Sequence, residues 1–470
     1  MKATLAIPPY LPDQSAQSGA LRVCNNTLAR IDGYGPLGAF AGFSGALGAS
    51  FKGGASFIAV DGTSNLLVGT TDGLLKYAGA AWTTLVSGMA VTQQWHFAQF
   101  GNYAIGVNGA LTKVTDLNTG VTTTLAGAPT GQCIAIIGDY VVIGQTVGDL
   151  LGIFTSGAGN HTQWDVVTTT ATYQPMLAGG EVMGLAGGEF GVILQRQRLV
   201  RMSRTGSADV PFAYDEISTG TGCASKGSVA QIGNRVFFLG DDGFKCCIAG
   251  QEPILNIGFE KIDRTFITAV PRDDWGLIYS AIDPQAKTVM WCVPGGKLWI
   301  YNWELDRWTT ASPMLQGVFS GFTSSTDLET LAVTYPDLDA MTISLDDPRW
   351  SGGAPRLYAV SAGIVGTFTG ASLTAEFEFS FAELAKGRYA RISSVRPVGD
   401  AVTGLTLTLD ARARLGDAAN VRTSTDLRAS GVLPLRTSGR YVKPDLMIAA
   451  GTVWGYMNAL DFEYEAGGER

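Results

Sequence analysis

The chain has 470 residues, 46% of them hydrophobic, only 16% charged, with 61 glycines and a formal net charge of −8. Aromatic residues at 10% exclude a disordered chain, which is poor in them. The acidic balance, with no basic run or tail, excludes tight nucleic-acid binding, which depends on neutralising phosphates; a channel that DNA merely passes through stays open.

The opening "MKATLAIPPYLPD" has one lysine and a short apolar segment cut by Pro8 and Pro9, unlike a secretory signal. Further on, glycine or charge interrupts each apolar run before membrane-spanning length. A soluble protein not exported by that route is expected. The six cysteines, at 24, 133, 223, 246, 247 and 292, lack the paired spacing of a zinc site, and the two histidines, His96 and His161, are far apart. Free buried thiols in a reducing cytoplasm are expected, because adjacent Cys246 and Cys247 are poorly placed to bridge each other.

From residue 54 a loose unit of about 40 residues recurs: an alternating strand, a Gly or Asp turn, a second strand, then often Trp-Thr or Thr-Thr. It runs through 65–85, 102–127 (with "DLNTG" as the turn), 133–157, 181–206, 226–250 and 275–310, and a weakly marked copy covers 317–350. An all-β, turn-punctuated repeat of this size predicts propeller blades, six to eight of them, although no strict WD or Kelch signature is present. A fibre or a sandwich array is the other architecture such a repeat allows.

In "NIGFEKIDRTFI", Phe259, Ile262 and Phe266 share one helical face, which predicts a short helix inserted between blades. The sixth unit holds "KLWIYNWELDRWTTASP", where Trp299, Tyr301 and Trp303 fall on one strand face and Trp308 on the partner strand, joined at "ELD". Buried between blades, such rings would stabilise by roughly 1.5–3 kcal/mol each; exposed, they would be platforms for sugar stacking.

After "DDPRWSGGAPRLY" the texture changes to strict alternation. Phe377, Phe379 and Phe381, then Leu405, Leu407 and Leu409, then Leu460, Phe462 and Tyr464 each line one face, as in an antiparallel sheet with one buried side. The chain is therefore read as all-β: an arm and first strand over 1–45, a β-propeller over 46–370 and a small antiparallel β-sandwich over 371–470.

No common catalytic arrangement emerges. "GFSGA" (42–46) lacks the last glycine of a nucleophile elbow, there is no phosphate loop, and "GTGCAS" breaks the dinucleotide glycine pattern. "GDDGF" lacks the ligand spacing of a calcium loop and reads as a hairpin turn. Asp241, Asp242, Asp273 and Asp274 have ordinary turn explanations. No catalytic residue, cofactor or metal is expected. The basic stretch "QRQRLVRMSR" supplies Arg196, Arg198, Arg201 and Arg204 as candidates for channel or subunit contacts; as a strand it would put Arg196 and Arg198 on one face.

The segment "NNTLARIDGYGPLGAF" (25–40) resembles the opening of the tail hub, or nozzle, proteins of short-tailed bacteriophages, also called packaged-DNA stabilisation proteins. There an Asn-bearing strand leads into an Asp-Gly-Tyr-x-Pro turn, here Asn25 or Asn26, then Asp32, Gly33, Tyr34 and Pro36. "EVMGLAGGEFGVILQRQRLVRM", "GCASKGSVAQIGNRVFFLG" and "EPILNIGFEKIDRTF" are similar to their central blades, and "GRYARISSVRP" with "GRYVKPDLMIAAGTVW" to their C-terminal sandwich. The resemblance implies a non-enzymatic virion protein, assembled in the host cytoplasm. It would form a ring with itself, a hexamer, below the portal-adaptor protein. DNA would pass through the lumen without tight binding, and a needle, spike or fibre would attach at the far end. A carbohydrate-binding propeller using Trp82, Trp299, Trp303 or Trp308 is the alternative, and a hydrolase of sialidase-like architecture a third.

Overall fold

The computed structural model describes residues 1–79, 81–207, 210–248, 253–323 and 353–468. It is a β-propeller followed by an antiparallel β-sandwich. Among the described residues seven antiparallel four-stranded units form the blades, at 51–86, 96–124, 131–175, 182–219, 230–256 and 279–311, with a seventh that is composite. Most of the weakly marked unit at 317–350 lies outside the described residues. Its first strand, Gly317–Phe322, starts blade 7, which continues with Pro355–Ser361 and Ile364–Thr367. The fourth strand of that blade is Ala41–Ala46, the "GFSGA" segment, paired antiparallel to Ile364–Thr367. The ring is thus closed by a strand from the other end of the chain.

The turns explain the glycine and Asx content. Asp116 Oδ1 accepts from the backbone N–H groups of Asn118 (2.9 Å) and Thr119 (3.1 Å), and Gly120 closes the "DLNTG" turn at φ 72°. The same side-chain-to-backbone device recurs at Asp61, Asn108, Asp149, Asp165, Asp283 and Asn302. Between blades the strands bury both faces. In blade 6, Val289, Trp291, Trp299, Tyr301 and Trp308 pack toward blade 5, while Met290, Cys292, Leu298 and Ile300 pack toward blade 7.

The inserted helix lies between blades 5 and 6 but is shorter than the sequence pattern suggests, Asp263–Ala269. Ile262 and Phe266 are buried. Phe259 is 64% exposed, because the turn at 258–261 precedes the first helical residue and takes it off the apolar stripe. The helix start is capped from the N-terminal arm: Asp13 accepts from the backbone N–H groups of Arg264 and Thr265, each at 2.8 Å.

The sandwich has two sheets. One runs through Leu21–Asn25, Ala375–Phe379, Tyr441–Ile448, Leu405–Arg412 and Asn420–Ser424. The other contains Thr27–Arg30, Gly33–Pro36, Met457–Ala466, Ala390–Gly399 and Leu433–Gly439, with Lys2–Ala6 added on Met457–Ala466. The N-terminal 45 residues are therefore divided: strands up to residue 36 complete the sandwich, and the strand from 41 completes the propeller. Both assignments bury alternating apolar faces that the C-terminal strands alone would leave open. The leucine triplet 405, 407, 409 and the triplet Leu460, Phe462, Tyr464 are buried as the alternation predicts. Phe381 departs from it. The strand ends at Phe379, and Phe381 lies half-buried beneath the Arg412 guanidinium, 5.0 Å from the ring centre.

Propeller and sandwich share one sheet. The outer strand of blade 6, Arg307–Ala311, pairs in parallel with Leu21–Asn25, making a continuous sheet of nine strands.

Candidate functional site

Three places concentrate functional chemistry: the aromatic cluster around "KLWIYNW", the axial mouth of the propeller, and the arginines of blade 4. The aromatic cluster is interior. Trp299 and Trp308 are each 1% exposed, Trp308 stacks on Trp291 at 5.7 Å between ring centres, and its indole N–H donates to the Ile257 carbonyl at 2.9 Å. Neither ring has a free face for a ligand. Trp303 is only half-buried, since the strand ends at Asn302 and the ring sits in the turn, 5.7 Å from Phe237. Trp82 is half-buried too, its N–H donated to the Gly45 carbonyl of blade 7.

At the axial mouth, a short 3-10 turn at Lys226–Ser228 reaches toward the ring axis. The Lys226 ammonium donates to Gln132 Oε1 on the inner strand of blade 3, and Gln94, just before blade 2, donates to the Ile278 carbonyl, just before blade 6, at 3.0 Å. Gly227 fits because a Cβ there would lie 1.9 Å from the Ile278 oxygen. Side chains from opposite sides of the ring thus bridge the axis. A cavity of about 220 Å³ remains, lined by His96, Gln132, Glu181 and Lys226. Burial, with the nearby Lys226 charge, pushes His96 down to about 4 and keeps it neutral; burial also lowers Lys226.

The four arginines expected to make channel or subunit contacts are each paired within the chain. Arg196 meets Asp241 of blade 5 at 3.0 Å and Arg198 meets Glu216 at 2.7 Å. Arg201 meets Asp215 at 2.9 Å, and Arg204 meets Asp139 of blade 3 at 2.8 Å. Arg196 does not share a strand face with Arg198. It lies in the turn between Gly191–Gln195 and Arg198–Arg204, where it can reach the next blade. Arg196 and Arg204 therefore tie blade 4 to both its neighbours. Asp241, in the "GDDGF" hairpin, also accepts from Arg272.

The six cysteines are free and buried, and burial raises every thiol, Cys223 and Cys247 to about 11 and the others to about 12. Such thiols are poor nucleophiles. Among the described residues no cluster of three His, Cys, Asp or Glu side chains is placed to hold a metal ion, and no helix is long and apolar enough to cross a membrane.

The sequence reading passed over a groove on the sandwich of about 560 Å³, lined by Arg391, Arg422 and Arg436. The three arginines come from three strands and are spaced like ordinary solvated positions, so no local pattern announces them.

No protein-family model and no curated protein matches this chain. Among solved structures it is similar to one described as the extracellular domain of a hybrid two-component system from B. thetaiotaomicron, at 10% identity and a TM-score of 0.44, covering 82% of this chain and 47% of that one. It is also similar to the WD40 repeats of RRP9, at 9% identity and a TM-score of 0.39, covering 61% of this chain and 88% of that one. A chain of the mitotic checkpoint complex matches at 13% identity and a TM-score of 0.40, covering 65% of this chain and 86% of that one. The chain spans about half the length of the two-component-system domain. None of the three is described as a virion protein.

Proposed function

We propose that this chain is a structural subunit of a phage tail hub, or nozzle. In this reading copies assemble in a ring below the portal-adaptor complex, enclose the DNA channel between them, retain packaged DNA and carry a needle, spike or fibre. The observation that carries the reading is the position of the segment on which the resemblance rests. Within that segment Asn26 joins propeller to sandwich, while Asp32, Gly33 and Tyr34 anchor the segment inside the sandwich. Asn26 bonds to Thr310, Ser312 and Thr374, and Asn458 donates to Asp32 at 3.2 Å. Gly33 (φ 131°) lies where a Cβ would be 2.3 Å from the Met457 oxygen, and Tyr34 is fully buried with its hydroxyl donating to the Pro8 carbonyl. A segment anchored in the sandwich and clamped to blade 6 through Asn26 ties the two parts together, which suits a subunit that must hold its shape against its neighbours.

The bridged propeller axis fits the same reading in one respect. DNA would run through the centre of the ring of subunits, and not through the propeller of any one of them. Electron microscopy of the purified chain mixed with the portal adaptor tests the proposal, with rings expected. A chain that stays monomeric with the adaptor and is missing from virions overturns it.

A further inference from the structure

Lys226 is a lysine without a counter-charge. It sits half-buried in the 3-10 turn at the axial mouth, and among the described residues it makes no ion pair. Its side-chain nitrogen meets one group, the carboxamide of Gln132, at Oε1. Burial is the largest influence on the amine and holds its pKa below the usual lysine range, against opposing pulls from Cys133 and Glu181. Both partners are fixed in place. The Ser225 hydroxyl donates to the Trp275 carbonyl at 2.5 Å, the Ser228 hydroxyl to the Ser225 carbonyl at 2.7 Å, and the Trp291 indole to the Ser228 carbonyl at 2.8 Å. Gln132 projects from Gly131–Ile137 and lies against Gly109, where a Cβ would come 2.9 Å from its Cγ. An amine on the link between blades 4 and 5 is thus held in contact with a carboxamide of blade 3, beside the axial cavity that both line.

We propose that this pair closes into a covalent bond after folding: Nζ of Lys226 attacks Cδ of Gln132 and forms a side-chain amide. The new Nζ–Cδ bond replaces the Cδ–Nε2 bond. The amide nitrogen leaves with the bonding pair, takes one proton from Nζ and departs as ammonia, so no oxidant or other reactant is required. His96 lines the same cavity, neutral and with no hydrogen bond to its ring among the described residues, and its imidazole can carry that proton. An amine attacks an amide slowly in solution, but here the reaction has to occur once per chain, and fixed contact removes the cost of bringing the groups together. A hydrogen bond alone would bridge the axis too, yet it would leave an ammonium half-buried with no carboxylate paired to it, a cost that the amide removes. The two residues lie 94 positions apart, and the cysteines, all free, provide no cross-link of their own. An amide there would constrain the unfolded chain as a disulfide does. The bond forms within one chain and is independent of the ring.

Intact mass spectrometry of the full chain, unfolded and reduced, tests this beside Lys226→Arg, which keeps a positive charge and hydrogen-bond donors but has no nucleophilic amine. The wild type is expected to be lighter than its sequence by one ammonia and to resist trypsin after Lys226. Digestion should yield a branched peptide joining Gln132 to Lys226, and the looped chain should run ahead of the variant on a denaturing gel. The variant is expected at its full sequence mass. A wild type of full mass that trypsin cleaves after Lys226 has only a hydrogen bond there and overturns the proposal. A deficit of ammonia that persists in Lys226→Arg, or that maps to another residue, overturns it as well. The wild-type mass and peptide map decide the matter even where the variant fails to fold.

Discussion

Asn26 donates its backbone N–H to the carbonyl of Thr310 at 2.7 Å, across 284 positions of sequence. It does so from a left-handed conformation, φ 58°, which asparagine tolerates better than other residues with a Cβ. Its side chain completes the clamp, accepting from Ser312 N at 2.9 Å and donating to the Thr374 carbonyl at 2.7 Å. One residue thereby fastens blade 6 to both sandwich and arm.

Asn26→Ala should therefore lose about 2–3 kcal/mol, from two side-chain bonds and a strained backbone. Asn26→Gly keeps the backbone freedom and should lose only about 1–2 kcal/mol. Urea unfolding checks both, and equal losses would remove the conformational part of the argument.

Trp308→Ala should cost about 3–5 kcal/mol, since it empties a fully buried site and orphans the Ile257 carbonyl. Trp303→Ala, in the half-exposed turn, should cost about 1 kcal/mol. Denaturant midpoints for the two variants should differ accordingly; a Trp303 loss as large as that of Trp308 would contradict the burial difference.

Asp13→Ala removes the cap on the helix at Asp263–Ala269 and should cost about 1–2 kcal/mol. Hydrogen exchange should speed first at the amides of Arg264 and Thr265, which lose their acceptor. Unchanged protection there would show that the arm does not hold the helix.

Asp263 is buried against Gly243 and Gly258 and accepts from Phe244 N at 2.9 Å. Burial raises it to about 6. A carboxyl raised in the fold is protonated there before it is in the unfolded chain, so stability falls as pH rises from about 4 to about 6. Asp263→Asn should raise stability at pH 7.5 by about 1–3 kcal/mol, with the gain vanishing near pH 4. Melting curves across that range check it.

His96 has the opposite slope. Its depressed value means the unfolded chain takes the proton first, so stability falls as pH drops from about 6.5 to about 4, by at most about 3 kcal/mol. His96→Gln should flatten that limb of the pH profile. An unchanged profile would mean the imidazole is better hydrated than its place beside Lys226 implies.

The repeat and the alternation were readable because each depends on neighbours in sequence. Asp-Gly and Asx turns mark blades 1, 2, 3, 5 and 6, and period-two faces mark Leu405 to Leu409. The partition of the first 45 residues was not readable, because a strand such as Ala41–Ala46 carries no sign of a partner more than 300 positions away. Phe259 and Phe381 misled because each continues a pattern past the point where the backbone abandons it. The blade 4 arginines stood out as a local cluster, yet their local density reflects acids already waiting at Asp139, Asp215, Glu216 and Asp241. Arg391, Arg422 and Arg436, which have no ion-pair partner among the described residues, are instead scattered over three strands.

The strand at Ala41–Ala46 also sets a timetable. It leaves the ribosome early, but its partner at Ile364–Thr367 is made some 320 residues later. Until then the fourth strand of the future last blade has no sheet to join, and blade 1 faces an absent neighbour at Gly317–Phe322. Pairing over such a separation carries a large loop-closure cost and slows folding. The ring closes only once nearly the whole polypeptide exists, so a chain truncated before residue 364 would keep most of its blades and never become a closed propeller.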